Sequence, residues 1–347
     1  MKRDNYINKM NELGLGAVPF LFIIDYEGKN AIIEPLDNID SELIKYNFCV
    51  KSNDIAISPL ESEEARRKGE GHQFDFELNS SMILFNKFPL PYDDYKKSFD
   101  IVMNNIYDGN SYLCNLTAKT PIETNLSLND IYRLSNARYK MKYKDDFVFF
   151  SPETFVKIID GHIYSYPMKG TIDADIPNAE EILLNDDKEK AEHITIVDLI
   201  RNDLSILSKN VEVTKFRYID KIKTNDKNLL QVSSEIKGIL PNDYKNKIGE
   251  IIFSLLPAGS ITGAPKKKTV EIIKQAENYE RNFYTGIAGI FDGENLDSCV
   301  MIRFIEQEEE KLYFKSGGGI TYQSNPEAEY KELIDKVYLP IYQKGKK

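Results

Sequence analysis

Two Asp-Gly dipeptides, Asp160-Gly161 and Asp292-Gly293, each lie between runs rich in aromatic and β-branched residues, and they constrain this chain more than any other feature. Such a dipeptide favours the tight turns whose twist matches paired antiparallel strands, so each marks a hairpin. The first joins Phe155-Val-Lys-Ile-Ile to His162-Ile-Tyr-Ser-Tyr. The second joins Gly286-Ile-Ala-Gly-Ile-Phe to a run from Leu296 to Ile305, which an acidic turn, Glu306 to Glu310, links to Leu312-Tyr-Phe-Lys. That arrangement predicts a meander of three strands. Another hairpin is expected where Tyr26 to Asn30 separates Pro19-Phe-Leu-Phe-Ile-Ile-Asp from Ala31-Ile-Ile-Glu-Pro. Asn110 to Thr120 and Phe147-Val-Phe-Phe-Ser-Pro-Glu read as further strands.

Between these strands the apolar period changes to that of a helix. Residues 188 to 207 place Ala191, Ile194, Val197, Ile200, Leu204 and Leu207 at spacings of three and four. Pro265 to Tyr279 reads as a second helix, with Pro265 suited to the first helical position. A third begins at Ser324-Asn-Pro-Glu327, a capping-box spacing, and runs through Tyr330, Leu333, Ile334 and Val337. The densely charged stretch Glu61 to Gly71, within residues 52 to 80, reads as loop or exposed helix. Strands towards both ends, helices between, and no repeat or low-complexity linker predict one α+β domain in which distant segments share a sheet.

Composition narrows the function. The chain carries 45 basic against 55 acidic residues, a net charge of −10, whereas duplex nucleic-acid binding draws on the opposite excess. No nucleic-acid partner is expected. No apolar run approaches the roughly 18 to 20 residues a membrane span needs, and Met1 to Gly14 has no apolar core of a secretory signal. A cytoplasmic address with no membrane partner is therefore expected. Cys49, Cys114 and Cys299 are scattered, as are His72, His162 and His193, so any divalent metal would be a hard ion held by carboxylates.

Two helices supply candidates. Glu329 and Glu332 share a helical face with Lys336, and Glu189 and Glu192 repeat the three-residue spacing. The two pairs could converge on Mg²⁺, or simply be solvated. Lys169 precedes Gly170 at the end of a strand; as a nucleophile it would have to shed a proton held with a pKa of about 10.4. Leu256 to Lys266 is Gly-rich but lacks the P-loop pattern. Gly317-Gly-Gly-Ile320 suits a turn, close strand packing, or an amide cradle for a carboxylate. Arg303, read inside a strand Val300-Met-Ile-Arg-Phe, could point either outward or into a site.

Taken in order, these phrases resemble the chorismate-utilising enzymes, and within them the aminodeoxychorismate synthase component I members. The phrases are Ser151-Pro-Glu-Thr-Phe155, Pro167-Met-Lys-Gly-Thr171, Ala191-Glu-His193 leading to Asp198-Leu-Ile-Arg-Asn-Asp-Leu204, Leu256 to Lys266, Tyr284-Thr-Gly-Ile-Ala-Gly289, Ile302-Arg303, Gly317 to Ile320, and Pro326 to Lys336. They span roughly residues 110 to 340; residues 1 to 105 match poorly and look like a shortened N-terminal part that completes the sheets. The resemblance implies a single domain, residues 1 to 347, of two packed, largely antiparallel β-sheets flanked by helices.

It also implies chorismate as substrate and Mg²⁺ as cofactor. Glu192 and Glu332 would be metal ligands, with Glu189 and Glu329 supporting them or holding metal-bound water. Tyr284 and Arg303 would take the enolpyruvyl carboxylate; the amides of Gly317, Gly318 and Gly319, with Lys336 and the metal, would meet the ring carboxylate. Thr262 would line the pocket. Anthranilate, isochorismate and salicylate synthases of the family typically have Ala where this chain has Lys169, whereas aminodeoxychorismate synthases commonly have Lys. The implied reaction is attack by Lys169 at C2 of chorismate, with Glu153 as general acid on the departing C4 hydroxyl, then ammonia addition at C4. Gln231 stands where the family often has His, so it can bind but not carry a proton at neutral pH. The chain shows no Gly-x-Cys-x-Gly nucleophile phrase, which points to a separate glutamine amidotransferase subunit as ammonia source. The alternatives are anthranilate synthase component I and a non-catalytic chorismate-binding partner of an amidotransferase; a nucleotide- or phosphate-binding module is a distant third.

Overall fold

Apolar runs without alternation belong to strands covered on both faces, and β1 (Phe20–Ile24) is such a strand. In the computed structural model, which describes residues 2–48, 51–53, 83–223 and 228–341, its Leu21 and Ile23 pack towards one layer and its Phe20, Phe22 and Ile24 towards another. The charged stretch Glu61 to Gly71 and Cys49 lie outside the described residues.

Helix α1 (Lys2–Leu15) precedes β1, which β2 (Ala31–Pro35), β3 (Ile44–Asn47) and β4 (Phe85–Lys87) follow; then come α2 (Tyr92–Tyr107), β5 (Leu113–Thr124) and α3 (Leu128–Leu134). Next are β6 (Tyr139–Tyr143), β7 (Phe147–Ser151), β8 (Thr154–Ile159), β9 (His162–Ser165) and β10 (Met168–Asp173). Helices α4 (Ala179–Asn185) and α5 (Asp187–Ser205) lead to the long pair β11 (Lys209–Lys223) and β12 (Asn228–Ile239). After α6 (Ile248–Ser254) come a 3₁₀ turn at Gly259–Ile261, β13 (Gly263–Ala264) and α7 (Lys266–Ala276). The last strands are β14 (Ile287–Phe291), β15 (Leu296–Val300), β16 (Phe304–Glu308) and β17 (Lys311–Ile320), before α8 (Pro326–Asp335).

Among the described residues, nine strands form one sheet, ordered β10-β12-β9-β8-β15-β14-β1-β2, with β11 on the other edge of β12. Eight form a second, ordered β13-β5-β17-β16-β7-β6-β3, with β4 beside β5. Every pairing between them is antiparallel. The sheets pack face to face through Leu21, Ile23, Ala288 and Ile290 of the first against Met141, Phe147, Phe149 and Phe304 of the second. Helices cover the outer faces. The α+β expectation of two packed antiparallel sheets flanked by helices holds.

Three local expectations change. The meander expected from Gly286 to Lys315 is broken: β14 and β15 pair in the first sheet, but β16 pairs with β7 and β17 in the second. Pro265 caps α7 from just outside instead of occupying its first turn, with ψ 135. Helix α8 is capped by Asn325, whose side chain accepts from Ala328 N–H, while the Ser324 hydroxyl turns to Glu329 Oε1 at 2.7 Å. Helix α1 carried no sequence signal, because it buries only Met10 and Gly14 among the residues fully covered.

Candidate active site

The chain crosses from one sheet to the other at two neighbouring places. Pro152-Glu153 joins β7 of the second sheet to β8 of the first, and Met301 to Arg303 join β15 of the first to β16 of the second. The crossings are stitched together: Val300 N–H donates to Glu153 O at 3.2 Å, and Phe150 N–H donates to Arg303 O at 3.2 Å. Arg303 therefore lies between strands, not within one, and takes φ 52, so strand alternation does not set its direction. Its guanidinium lies 5.6 Å from the centre of the Tyr338 ring, and among the described residues it forms no ion pair.

Around these crossings opens a cavity of ≈260 Å³. Glu153, Lys169, Tyr284, Arg303, Lys336 and the segment Gly317 to Gly319 all line it. The glycines belong to β17, not to a turn. Strand β16 pairs with β17 only as far as Lys315, while β5 continues alongside to Ile320. One edge of Ser316 to Ile320 is thus left without a strand partner among the described residues, and it faces the cavity. On the other edge, a Cβ on Gly317 would stand 2.4 Å from Thr117 Cγ2 and 2.6 Å from Leu116 O, so close packing excludes a side chain there. A Cβ on Gly318 would instead meet Glu329 Oε2 at 3.5 Å, Glu332 Oε1 at 3.8 Å and Lys336 Nζ at 3.9 Å. Glu329 and Glu332 of α8 and Lys336, which caps its C-terminus, gather over this one glycine.

Lys169 enters from β10, where the register with β12 slips between Lys169 and Thr171 and Gly170 takes φ 71. A bulge of this kind re-aims a side chain. Lys169 Nζ meets Glu192 Oε2 of α5 at 2.8 Å, and Glu189 Oε2 lies 3.4 Å from the place a Cβ on Gly170 would occupy. Burial alone would push the Lys169 ammonium towards the neutral amine, but the charges of Glu192, Glu189 and Glu332 outweigh it and raise the pKa. Lys336 pairs with Glu332 at 2.7 Å and donates to Gly317 O at 2.8 Å. Of the four candidate carboxylates of α5 and α8, Glu332 lines the cavity; Glu192 lies buried behind Lys169, Glu189 sits beside Gly170, and Glu329 is buried with its Oε1 accepting from Ser324. Among the described residues no three acidic, His or Cys groups stand close enough to hold a metal ion in this arrangement.

Glu153 accepts a hydrogen bond from Ser260 Oγ of the 3₁₀ turn. Burial raises its pKa, and the Ser260 bond and the charges of Lys169 and Lys336 only partly offset this. Tyr284 is buried on the cavity wall and stays a phenol, its pKa raised by burial.

Two sequence expectations are corrected. Thr262 does not line the cavity; its neighbours Ser260, Ile261 and Gly263 do, while its hydroxyl is fully buried elsewhere. Gln231 sits mid-strand on β12 opposite Thr171 and Asp220 and is not part of the cavity wall. Three residues the sequence reading missed are Ser260, Tyr338 and Lys315, of which Lys315 is fully buried and ion-paired with Glu306 at 2.7 Å. A lysine one step before Ser316 in an apolar strand was the available signal.

A model of chorismate binding enzymes matches residues 19–341 of this chain. A Haemophilus influenzae protein described as an uncharacterized PabA-like protein is 49% identical over 338 residues, which is 97% of each chain. Anthranilate synthase component 1 of Acetivibrio thermocellus is 34% identical over 247 residues, covering 67% of this chain and 49% of that longer one. Among solved structures, anthranilate synthase component I from Streptococcus pneumoniae superposes with a TM-score of 0.67 at 22% identity, covering 91% of this chain and 79% of the other. At that identity the likeness is one of fold. No helix among the described residues is long and apolar enough to cross a membrane. With the cavity, its facing cations and this match over nearly the whole chain in hand, the protein belongs to the family of chorismate binding enzymes.

Proposed function

We propose that this chain acts as aminodeoxychorismate synthase component I, aminating chorismate at C4 with ammonia from a glutamine amidotransferase subunit. The observation that carries the reading is Lys169: a lysine aimed into a cavity that also holds a buried carboxyl, Glu153, and the cations Arg303 and Lys336. A protein of net charge −10 would repel a dianion, so binding one requires cations concentrated in a cleft. Arg303, with no carboxylate partner among the described residues, and Tyr284 suit the enolpyruvyl carboxylate; Lys336 and the open edge of Gly317 to Gly319 suit the ring carboxylate.

In the reaction, the Lys169 amine attacks C2, the C1=C2 and C5=C6 double bonds shift to C1=C6 and C4=C5, and the C4–O bond breaks as Glu153 gives its proton to the hydroxyl, which leaves as water. Ammonia then attacks C4, both double bonds shift back to C5=C6 and C1=C2, the C2–N bond to Lys169 breaks, and the lysine departs as an amine. The Glu153 carboxylate takes the surplus proton from the new C4 ammonium, restoring the starting state. Burial favours the protonated Glu153 the first step needs. Lys169 must first give up its proton and its pairing with Glu192. Glu189, Glu192, Glu329 and Glu332 offer the oxygen donors that a hard divalent cation such as Mg²⁺ takes, but no three of them stand close enough to share one, so holding it would require the carboxylates of α5 and α8 to draw together. Held by those residues, the cation would supply positive charge for the substrate's ring carboxylate.

The similarity to anthranilate synthase component 1 favours a second reading, in which pyruvate is eliminated and anthranilate forms. Mass spectrometry of products from purified protein, chorismate, Mg²⁺ and ammonium separates the two. Aminodeoxychorismate without pyruvate is expected, and Lys169→Ala should abolish it. Anthranilate with pyruvate would establish the second reading, and unchanged ammonium-dependent turnover in the Ala variant would remove the covalent step.

A further inference from the structure

Behind Glu153 lies a second, much smaller cavity of ≈30 Å³. A water-sized molecule needs at least about 10 to 15 Å³ of such space, so this one holds one or two and excludes anything of chorismate's bulk. Glu153 and Ser260 line both cavities, and the hydrogen bond between their side chains joins them. That pair is the partition between a substrate-sized space and a space fit for a single small molecule. Beyond it the walls are mostly apolar: Phe155 and Val156 of β8, Ile200 and Leu204 of α5, and Leu255 and Ala258 after α6. Apolar walls admit a neutral molecule far more readily than an ion, which would lose its hydration there. Tyr166, Ile200 and Asp203 of this wall are partly exposed, so the chamber lies within one side chain of solvent. The Asp203 carboxylate, paired with Lys266 at 2.6 Å, offers an incoming N–H group an acceptor.

We propose that this chamber is the route by which neutral ammonia reaches the substrate, with the Glu153–Ser260 pair as its inner door. The inference rests on the aminating reading above. There, Glu153 protonates the hydroxyl that leaves C4, and the incoming nitrogen must arrive at that same carbon. A supply that opens onto Glu153 delivers ammonia beside C4 and beside the carboxylate just generated. As ammonia forms its bond to C4 and the C2–N bond to Lys169 breaks, that carboxylate is in place to take the extra proton. The C4 amine and the protonated Glu153 result, with no further reactant needed.

The test is ammonium-dependent amination of chorismate by the full chain with Mg²⁺, read by product mass, with methylamine offered in parallel. Ala258→Leu fills the chamber and Ile200→Ala widens it; neither residue touches the main cavity. Filling should raise KM for ammonia by about tenfold or more while KM for chorismate stays within about twofold. Widening should admit methylamine, giving an N-methylated product that the unaltered chain does not make. Folded variants with unaltered ammonia KM and unaltered exclusion of methylamine would overturn the route, leaving ammonia to enter through the substrate mouth. Should Ala258→Leu not fold, Ile200→Ala decides alone by the methylamine product. An unaltered chain that makes no aminated product from ammonium overturns the aminating reading and this route with it, so the control distinguishes the two failures.

Discussion

In the proposed reaction Glu153 reacts protonated and Lys169 neutral, and the two shifts pull differently on that pair: burial raises the Glu153 pKa towards the acid form the step uses, whereas the raised Lys169 pKa holds the lysine as an ammonium. The competent combination rises with pH until Glu153 begins to ionise, stays level, and falls once Lys169 has fully deprotonated. Glu153→Gln should therefore lower kcat by about 10²- to 10⁴-fold and turn a bell-shaped profile into one that climbs through the alkaline range. A pH–rate series on both proteins checks this, and a bell that persists in the variant would exclude Glu153 as the acid. His193 gives a residue-scale prediction for stability. Burial, with the charges of Arg217 and Lys169, lowers its pKa from 6.5 to about 4, and its Nε2 lies 2.7 Å from Ser234 Oγ. Because the unfolded chain takes up a proton here that the folded one refuses, stability falls as pH drops from 6.5 towards 4. The slope is at most about 1.4 kcal/mol per pH unit, and His193→Gln should flatten it in denaturant melts at pH 7, 6 and 5.

At the scale of single elements, Gly317 and Gly318 are indistinguishable in sequence yet face opposite consequences. An alanine at 317 drives its methyl into Thr117 and the Leu116 carbonyl, which should cost about 1 to 3 kcal/mol and weaken the β5–β17 ladder. An alanine at 318 meets nothing nearer than 3.5 Å, but what it meets is the carboxylate of Glu329. Gly318→Ala should melt like the unaltered protein while its KM for chorismate rises; Gly317→Ala should show the loss of stability first. Thermal melts beside chorismate saturation curves separate them. Much of this was legible beforehand. The Asp-Gly hairpins are present because turn chemistry and strand pattern act within a few residues; Asp160 and Gly161 take φ 48 and 74. The crossing at Arg303 was hidden because an apolar run that changes sheets looks like one that continues. Thr262 was misplaced because a glycine-rich segment carries no periodicity to say which side chain turns inward. The bulge at Gly170 likewise depends on β12, distant in sequence, so Lys169 was found by its motif and its aim only by the fold.

The whole molecule places its cavity where the two sheets exchange strands, and such a junction has no ladder of its own to hold it. Arg281 supplies the missing ties. Its guanidinium donates to Ile261 O at 3.0 Å and Asn115 O at 2.7 Å, and meets Glu277 Oε1 at 2.6 Å and Oε2 at 2.8 Å. Glu277 Oε1 in turn accepts from the Thr117 amide at 2.9 Å and its hydroxyl at 2.7 Å. One buried pair, each side chain 2% exposed, thus joins β5 of the second sheet, the 3₁₀ turn, the end of α7 and the approach to β14 of the first. Removing one partner leaves a buried charge uncompensated, which costs about 3 to 5 kcal/mol, whereas removing both spares that penalty. Glu277→Gln alone should therefore destabilise more than Glu277→Gln with Arg281→Met, measured as denaturation midpoints. The double variant still loses the guanidinium's bonds to Ile261 and Asn115, whose segments line the cavity. It should regain stability without regaining turnover. Recovery of both would show that strand pairing alone sets the shape of the site; recovery of neither would show that the backbone bonds, not the charge pair, carry the junction.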